Sequence, residues 1–91
     1  MTVDTVAKQH QPALPVERTF TTHVTSGLDG AVRVAMLLRG RNYRVRDLAI
    51  DVREGVVFSE VRATVAVTAA EAELLLQRLR RLPAVVSAQD R

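Results

Sequence analysis

Polar and apolar residues alternate from Arg18 to Thr25, with Phe20, Thr22 and Val24 on one side and Thr19, Thr21, His23 and Thr25 on the other. A two-residue period of this kind predicts a half-buried strand. Ser26-Gly27-Leu28-Asp29-Gly30 interrupts it. From Ala31 to Arg41 the period lengthens, and Ala31, Val34, Ala35 and Leu38 form a stripe at helical spacing with Arg33 and Gly40 opposite. Val32, Met36 and Leu37 fall outside that stripe.

Tyr43 to Val52 reads as a strand whose phase slips. Val45 is apolar in one register and Leu48, Ile50 and Val52 in the other, as a bulge near Arg46-Asp47 would produce, and the bulge would keep all four side chains in the core. Glu54-Gly55 supplies a tight hairpin turn. The return strand, Val56 to Val67, sets Val57, Val61, Ala63, Val65 and Val67 against Phe58, Glu60, Arg62 and Thr64. Thr68-Ala69-Ala70-Glu71 has the spacing of a capping box, and a second helix follows with Ala72, Leu75, Leu76, Leu79 and Leu82 as its buried stripe, ended by Pro83. Ala84 to Gln89 makes a short last strand.

The order βαββαβ predicts an α+β, ferredoxin-like fold: a four-stranded antiparallel sheet with two helices on one face. Residues 1–16, with Pro12 and Pro15 and no period, read as a flexible leader, and residues 17–91 as the folded domain. At 91 residues the chain is one domain with a thin core. It has no cysteine, which removes thiol nucleophiles, thiolate metal sites and disulfides, and fits a cytoplasmic setting. No apolar run approaches the ~20 residues of a membrane span, so no membrane partner is expected. The net charge is +3, and all but one of the 13 Lys and Arg are arginine, so nucleic acid has to be weighed as a partner.

Few residues offer chemistry. His23 lies on the polar strand face with no Ser, Cys or second His at a useful spacing, and reads as a surface histidine. Asp47, Asp51, Glu54 and Glu60 are interleaved with Arg44, Arg46, Arg53 and Arg62, a pattern for cross-strand ion pairs rather than acid–base catalysis. Ser26 to Gly30 is either an ordinary turn or a ligand loop at a helix N-terminus, where free amides can hold a carboxylate. The run Arg39, Arg41, Arg44, Arg46 reads as helix C-terminal charge or as a binding patch. An RNA-recognition module has the same element order, but it stacks bases on aromatics of strands one and three, where this chain has threonines, His23 and only Phe58. With no nucleophile–base pair, metal cluster or cofactor loop, the chain reads as a non-enzyme with no cofactor.

The stretch Asp29-Gly30-Ala31-Val32-Arg33-Val34-Ala35-Met36-Leu37-Leu38-Arg39-Gly40-Arg41-Asn42-Tyr43-Arg44-Val45, with Leu48-Ala49-Ile50 after it, resembles the ACT-domain signature of acetolactate synthase small regulatory subunits. The likeness continues through Leu79-Arg80-Arg81-Leu82-Pro83-Ala84-Val85-Val86, and the length is similar to that of the short form of that subunit. The resemblance implies an ACT-like regulatory domain in branched-chain amino-acid biosynthesis, a homodimer with paired sheets, and a thiamine-diphosphate-dependent acetolactate synthase catalytic subunit as partner. It also implies an amino-acid effector, valine, leucine or isoleucine, at the dimer seam. By position the effector residues are Gly27, Leu28, Asp29, Gly30, Ala31 and Val45. Gly27 stands where the family has an asparagine, so one side-chain hydrogen bond to the effector is missing. The alternative is a free-standing ACT-type sensing or interaction domain for another enzyme; a nucleic-acid module ranks below both.

Overall fold

The computed structural model describes residues 14–52, 55 and 57–91. In chain order, β1 spans Val16–Val24, α1 Gly27–Gly40, β2 Arg44–Asp51, β3 Ser59–Val67, α2 Ala69–Arg81 and β4 Val85–Asp90. The strands form one antiparallel sheet in the order β2-β3-β1-β4. This is the βαββαβ fold that the periodicity predicts.

The central pair is β1 and β3, in unbroken register from Val16↔Val67 to Val24↔Ser59. Phe20 and Val24 of β1 and Val61, Val65 and Val67 of β3 turn the same way and meet Ala31, Val34 and Leu38 of α1 and Ala72, Leu75 and Leu79 of α2. Burying these side chains provides most of the driving force of so small a domain. Thr22 and Ser59 are also buried there, and no buried side-chain polar atom lacks a hydrogen-bond partner among the described residues.

The helix ends are set by local chemistry. Thr68 Oγ1 accepts from the Glu71 amide at 3.2 Å while Glu71 Oε1 accepts from the Thr68 amide at 2.8 Å, so the capping box is complete. At the end of α1, the Asn42 amide donates to Arg39 O and the Tyr43 amide to Leu38 O, with Asn42 in the left-handed region at φ 59. These two bonds are a Schellman motif, and asparagine is one of the few residues that enters this conformation at modest cost.

Several expectations need correcting. The helix starts at Gly27 rather than Ala31, because Ser26 (φ 65) and Gly27 (φ 55) turn the chain within two residues, so Leu28, Asp29 and Gly30 lie in its first turn. Leu37, expected off the buried stripe, packs partly against the core. The register between β2 and β3 shifts between Val45 and Asp47, as the phase slip indicated. That bulge does not bring Val45, Leu48, Ile50 and Val52 into the core: they are 40%, 39%, 39% and 46% exposed. β2 is a sheet edge, α1 lies chiefly against β3 and α2 against β4, and the helix-side face of β2 is left half covered. β3 begins at Ser59, so Val57 is exposed outside the strand. Gly55 does adopt positive φ (76), while Glu54 lies outside the described residues.

Candidate functional site

The β1–α1 turn is tight because of one close approach. A Cβ on Gly30 would sit well inside van der Waals contact with the Thr25 carbonyl oxygen and 3.1 Å from Val24 Cβ. Only glycine lets the first turn of α1 lie on the end of β1. Thr25 is itself fixed, since its amide donates to Ala84 O at 2.8 Å and its hydroxyl to the same oxygen at 3.3 Å. Unlike Thr68 at the start of α2, Ser26 provides no side-chain cap to α1. The Asp29 amide, which occupies the position of the capped Glu71 amide, donates instead to the Ser26 carbonyl oxygen at 3.1 Å.

Gly27, Leu28, Asp29, Gly30 and Ala31 are brought together by this turn. Ala31 and Gly30 are buried, whereas Leu28 and Asp29 are exposed. Val45 is not with them. It pairs with Val65, and Val65 with Arg18, which puts it at the opposite end of the sheet, ~20 Å along the strand from the turn. The β2-side neighbour of the turn in the same chain is Val52, whose Cγ1 lies 4.0 Å from the position a Gly27 Cβ would take. The sequence pattern places Val52 in the core and not in the site; its position just past the end of a strand parallel to β1 is the signal that points to the turn.

Beside the turn, Asp29, Val32, Arg33, Met36, Leu37 and Leu82 line an open groove of about 610 Å³. Val32, Met36 and Leu37, the residues outside the helical stripe, all line it, and Met36 is 63% exposed.

The open face of the sheet is a polar ladder. Thr19 and Thr64 share a hydrogen bond of 2.9 Å, and His23 stands between Ser87 Oγ (3.2 Å from Nδ1) and Glu60 Oε1 (3.4 Å from Nε2), with Arg62 Nε 3.0 Å from Glu60 Oε2. Serine, histidine and glutamate are the residue types of a hydrolytic triad, but here they are side-by-side positions on three strands, and the groove on α1 is lined by other residues. Phe20 is in the core, so β1 presents no aromatic to this face for base stacking. Of the interleaved charges, Arg46 reaches Glu17 of β1 at 3.3 Å and Glu60 pairs with Arg62 of its own strand, while Arg53 and Glu54 lie outside the described residues. No group of three His, Cys, Asp or Glu converges as a metal site among the described residues, and no described helix is long and apolar enough to cross a membrane.

No protein-family profile matches the chain, and no curated protein does. Its fold is similar to that of the ACT domain from the GTP pyrophosphokinase of Chlorobium tepidum, with a TM-score of 0.70 over 82% of this chain and 96% of that one. Sequence identity is 8%, so the likeness establishes the fold: a ferredoxin-like sheet of the ACT type.

Proposed function

We propose that this chain is a non-catalytic regulatory domain that pairs with a second copy along β2 and senses an amino acid beside the β1–α1 turn. The observation that carries this reading is the uncovered apolar rim formed by Val45, Leu48, Ile50 and Val52. An edge strand with exposed apolar side chains is a liability unless something pairs with it. A second copy joined edge to edge would extend the sheet and cover the rim. Both β1 and β2 run antiparallel to β3, so they are parallel to each other. In a two-fold, antiparallel join of two β2 edges, Val45 of one copy moves toward Val52 and the turn of the other. Residues that lie far apart in one chain thereby become neighbours across the seam. The positive end of the α1 dipole, which no side chain caps, suits the carboxylate of an amino acid there.

The finer assignment rests on the sequence resemblance at residues 29–45 and 79–86: the partner is the catalytic subunit of acetolactate synthase and the effector valine, leucine or isoleucine, acting in the cytoplasm. Gly27 in place of asparagine weakens that feedback. A second reading, a sensing domain for another enzyme, is favoured by one observation: the solved domain of the same fold belongs to a GTP pyrophosphokinase.

Sedimentation of the purified chain, alone and with each of the twenty amino acids, tests the common part. A dimer that Leu48→Lys/Ile50→Lys converts to a folded monomer is the expected result. A wild-type monomer at all concentrations, with no amino acid raising its melting midpoint, overturns it. Adding the chain to an acetolactate synthase catalytic subunit tests the finer part, and an unchanged rate leaves the second reading in its place.

A further inference from the structure

The arginine run divides in the structure. Arg39 closes the last turn of α1, and Arg46 is paired with Glu17. Arg41 and Arg44 instead line a pocket of about 230 Å³ at the foot of the sheet, together with Pro15, Asn42, Tyr43, Ala66 and Glu71. Within one chain the β1–α1 turn is at the other end of β1, so the pocket exists without the proposed pairing, although in that pairing its Arg44 side would approach the turn of the second copy.

We propose that the pocket is a binding site for a small phosphomonoester, with Arg41 and Arg44 as its anion ligands. Neither guanidinium meets a carboxylate among the described residues, in contrast to Arg18, Arg46 and Arg62, each of which does. Two forked cations facing one pocket match the charge and the several acceptor oxygens of a phosphate dianion better than a single carboxylate.

The pocket wall is built rather than incidental. Asn42 is held in its left-handed conformation by the Schellman bonds, so the backbone carrying both arginines is fixed. Arg78 Nη1 donates to the Tyr43 hydroxyl oxygen at 2.9 Å, which anchors the ring from α2 and leaves the phenol's own hydrogen to donate elsewhere. Glu71 is the one carboxylate in the lining; its Oε1 accepts from the Thr68 amide, and against the two guanidinium charges it leaves the lining net positive. The start of α2 is satisfied by its own cap.

Size selects the ligand. The pocket is smaller than the roughly 300–1,000 Å³ of sites for drug-sized molecules, which suits a compact metabolite rather than a nucleotide. Single-stranded nucleic acid or a lipid headgroup would use the same charge but would not need so small a depression.

The test is an amide chemical-shift titration of the full chain with glycerol 3-phosphate, with equal ionic strengths of chloride as the blank. Saturable shifts confined to residues 41–44, 66 and 71 are expected, together with at least about tenfold weaker binding in Arg41→Gln/Arg44→Gln. Because both side chains are exposed, that variant should fold, and an unchanged melting midpoint checks that it does. Arg44→Lys keeps the charge but loses the fork, and should fall between the two. Shifts that never saturate and spread to Arg33, Arg39 and Arg81, or undiminished affinity in the double variant, overturn the proposal. So does a single-stranded oligonucleotide or an anionic phosphatidylserine vesicle that binds at these residues while glycerol 3-phosphate does not.

Discussion

Replacing Gly30 with alanine tests the packing on which the β1–α1 turn depends. In an ordinary helix the change is favourable by up to ~1 kcal/mol, because alanine loses less backbone freedom on folding. At Gly30 the new methyl would meet the Thr25 carbonyl oxygen and the Val24 Cβ. Neither can swing aside: one is main chain tied to Ala84, the other the branched Cβ of a fully buried valine. The start of α1 must back away from β1, and overpacking of that kind costs about 1–3 kcal/mol. The upper part of that range applies where the obstacle is backbone, so a net loss of about 2 kcal/mol is expected, or roughly 8–16 °C in the melting midpoint of a domain this size. Gly40 is the internal control. It lies in the same helix, and an added Cβ there meets nothing within 4 Å. Gly40→Ala should therefore hold or raise the midpoint, by up to about 1 kcal/mol in stability. The assay is calorimetry or urea titration of the two variants beside the wild type. If Gly30→Ala melts at or above the wild type, the close approach is not there and the account of the turn fails.

Thr68→Ala removes the hydroxyl half of the capping box and should cost about 1 kcal/mol, read as a lower urea midpoint with an unchanged slope. Asn42→Ala places a residue that resists positive φ at the Schellman position, and should lose about 1 kcal/mol where Asn42→Gly loses nothing. Leu75→Ala empties a fully buried position beneath α2 and should cost about 3 kcal/mol, roughly a third of the stability of a typical domain of this length, read as a melting midpoint lowered by roughly 12–24 °C.

Most of the architecture was legible because each element announces itself with one period and one end signal. Phe20, Thr22 and Val24 gave the inner face of β1, and Thr68 with Glu71 gave the start of α2 to the residue. What the sequence could not convey was strand order. Val45, Leu48, Ile50 and Val52 look like core residues in any one-dimensional reading, and only the sheet order shows that β2 is an edge beyond the main footprint of α1. The candidate site suffered from the same gap. Gly27 to Ala31 are contiguous and so were found together, whereas the distance to Val45 and the proximity of Val52 depend on which end of the sheet each occupies. α1 starts four residues before the helical spacing begins because Ser26 adopts a left-handed conformation that serine seldom takes, and no residue-type rule announces that.

The two halves of β2 also bear on how strong the proposed pairing would be. Toward Arg44 the strand carries the bulge and the Arg46–Glu17 pair, and bulges and charge are devices that keep edges from joining. From Leu48 to Asp51 the register with β3 is regular, so a short half-edge with Leu48 and Ile50 exposed is all that remains for a second copy. A ladder that short favours a weak dimer, in exchange between one chain and two near working concentrations. An effector contacting both copies would then supply the missing stability: at a hundredfold excess over its dissociation constant, a ligand adds about 2.7 kcal/mol per site, roughly a hundredfold in the dimerisation constant. Sedimentation equilibrium across a series of effector concentrations measures that slope directly. A dimerisation constant that tightens with the amino acid that raises the melting midpoint is the expected result, and one that ignores it would place the ligand away from the seam and refute the composite site.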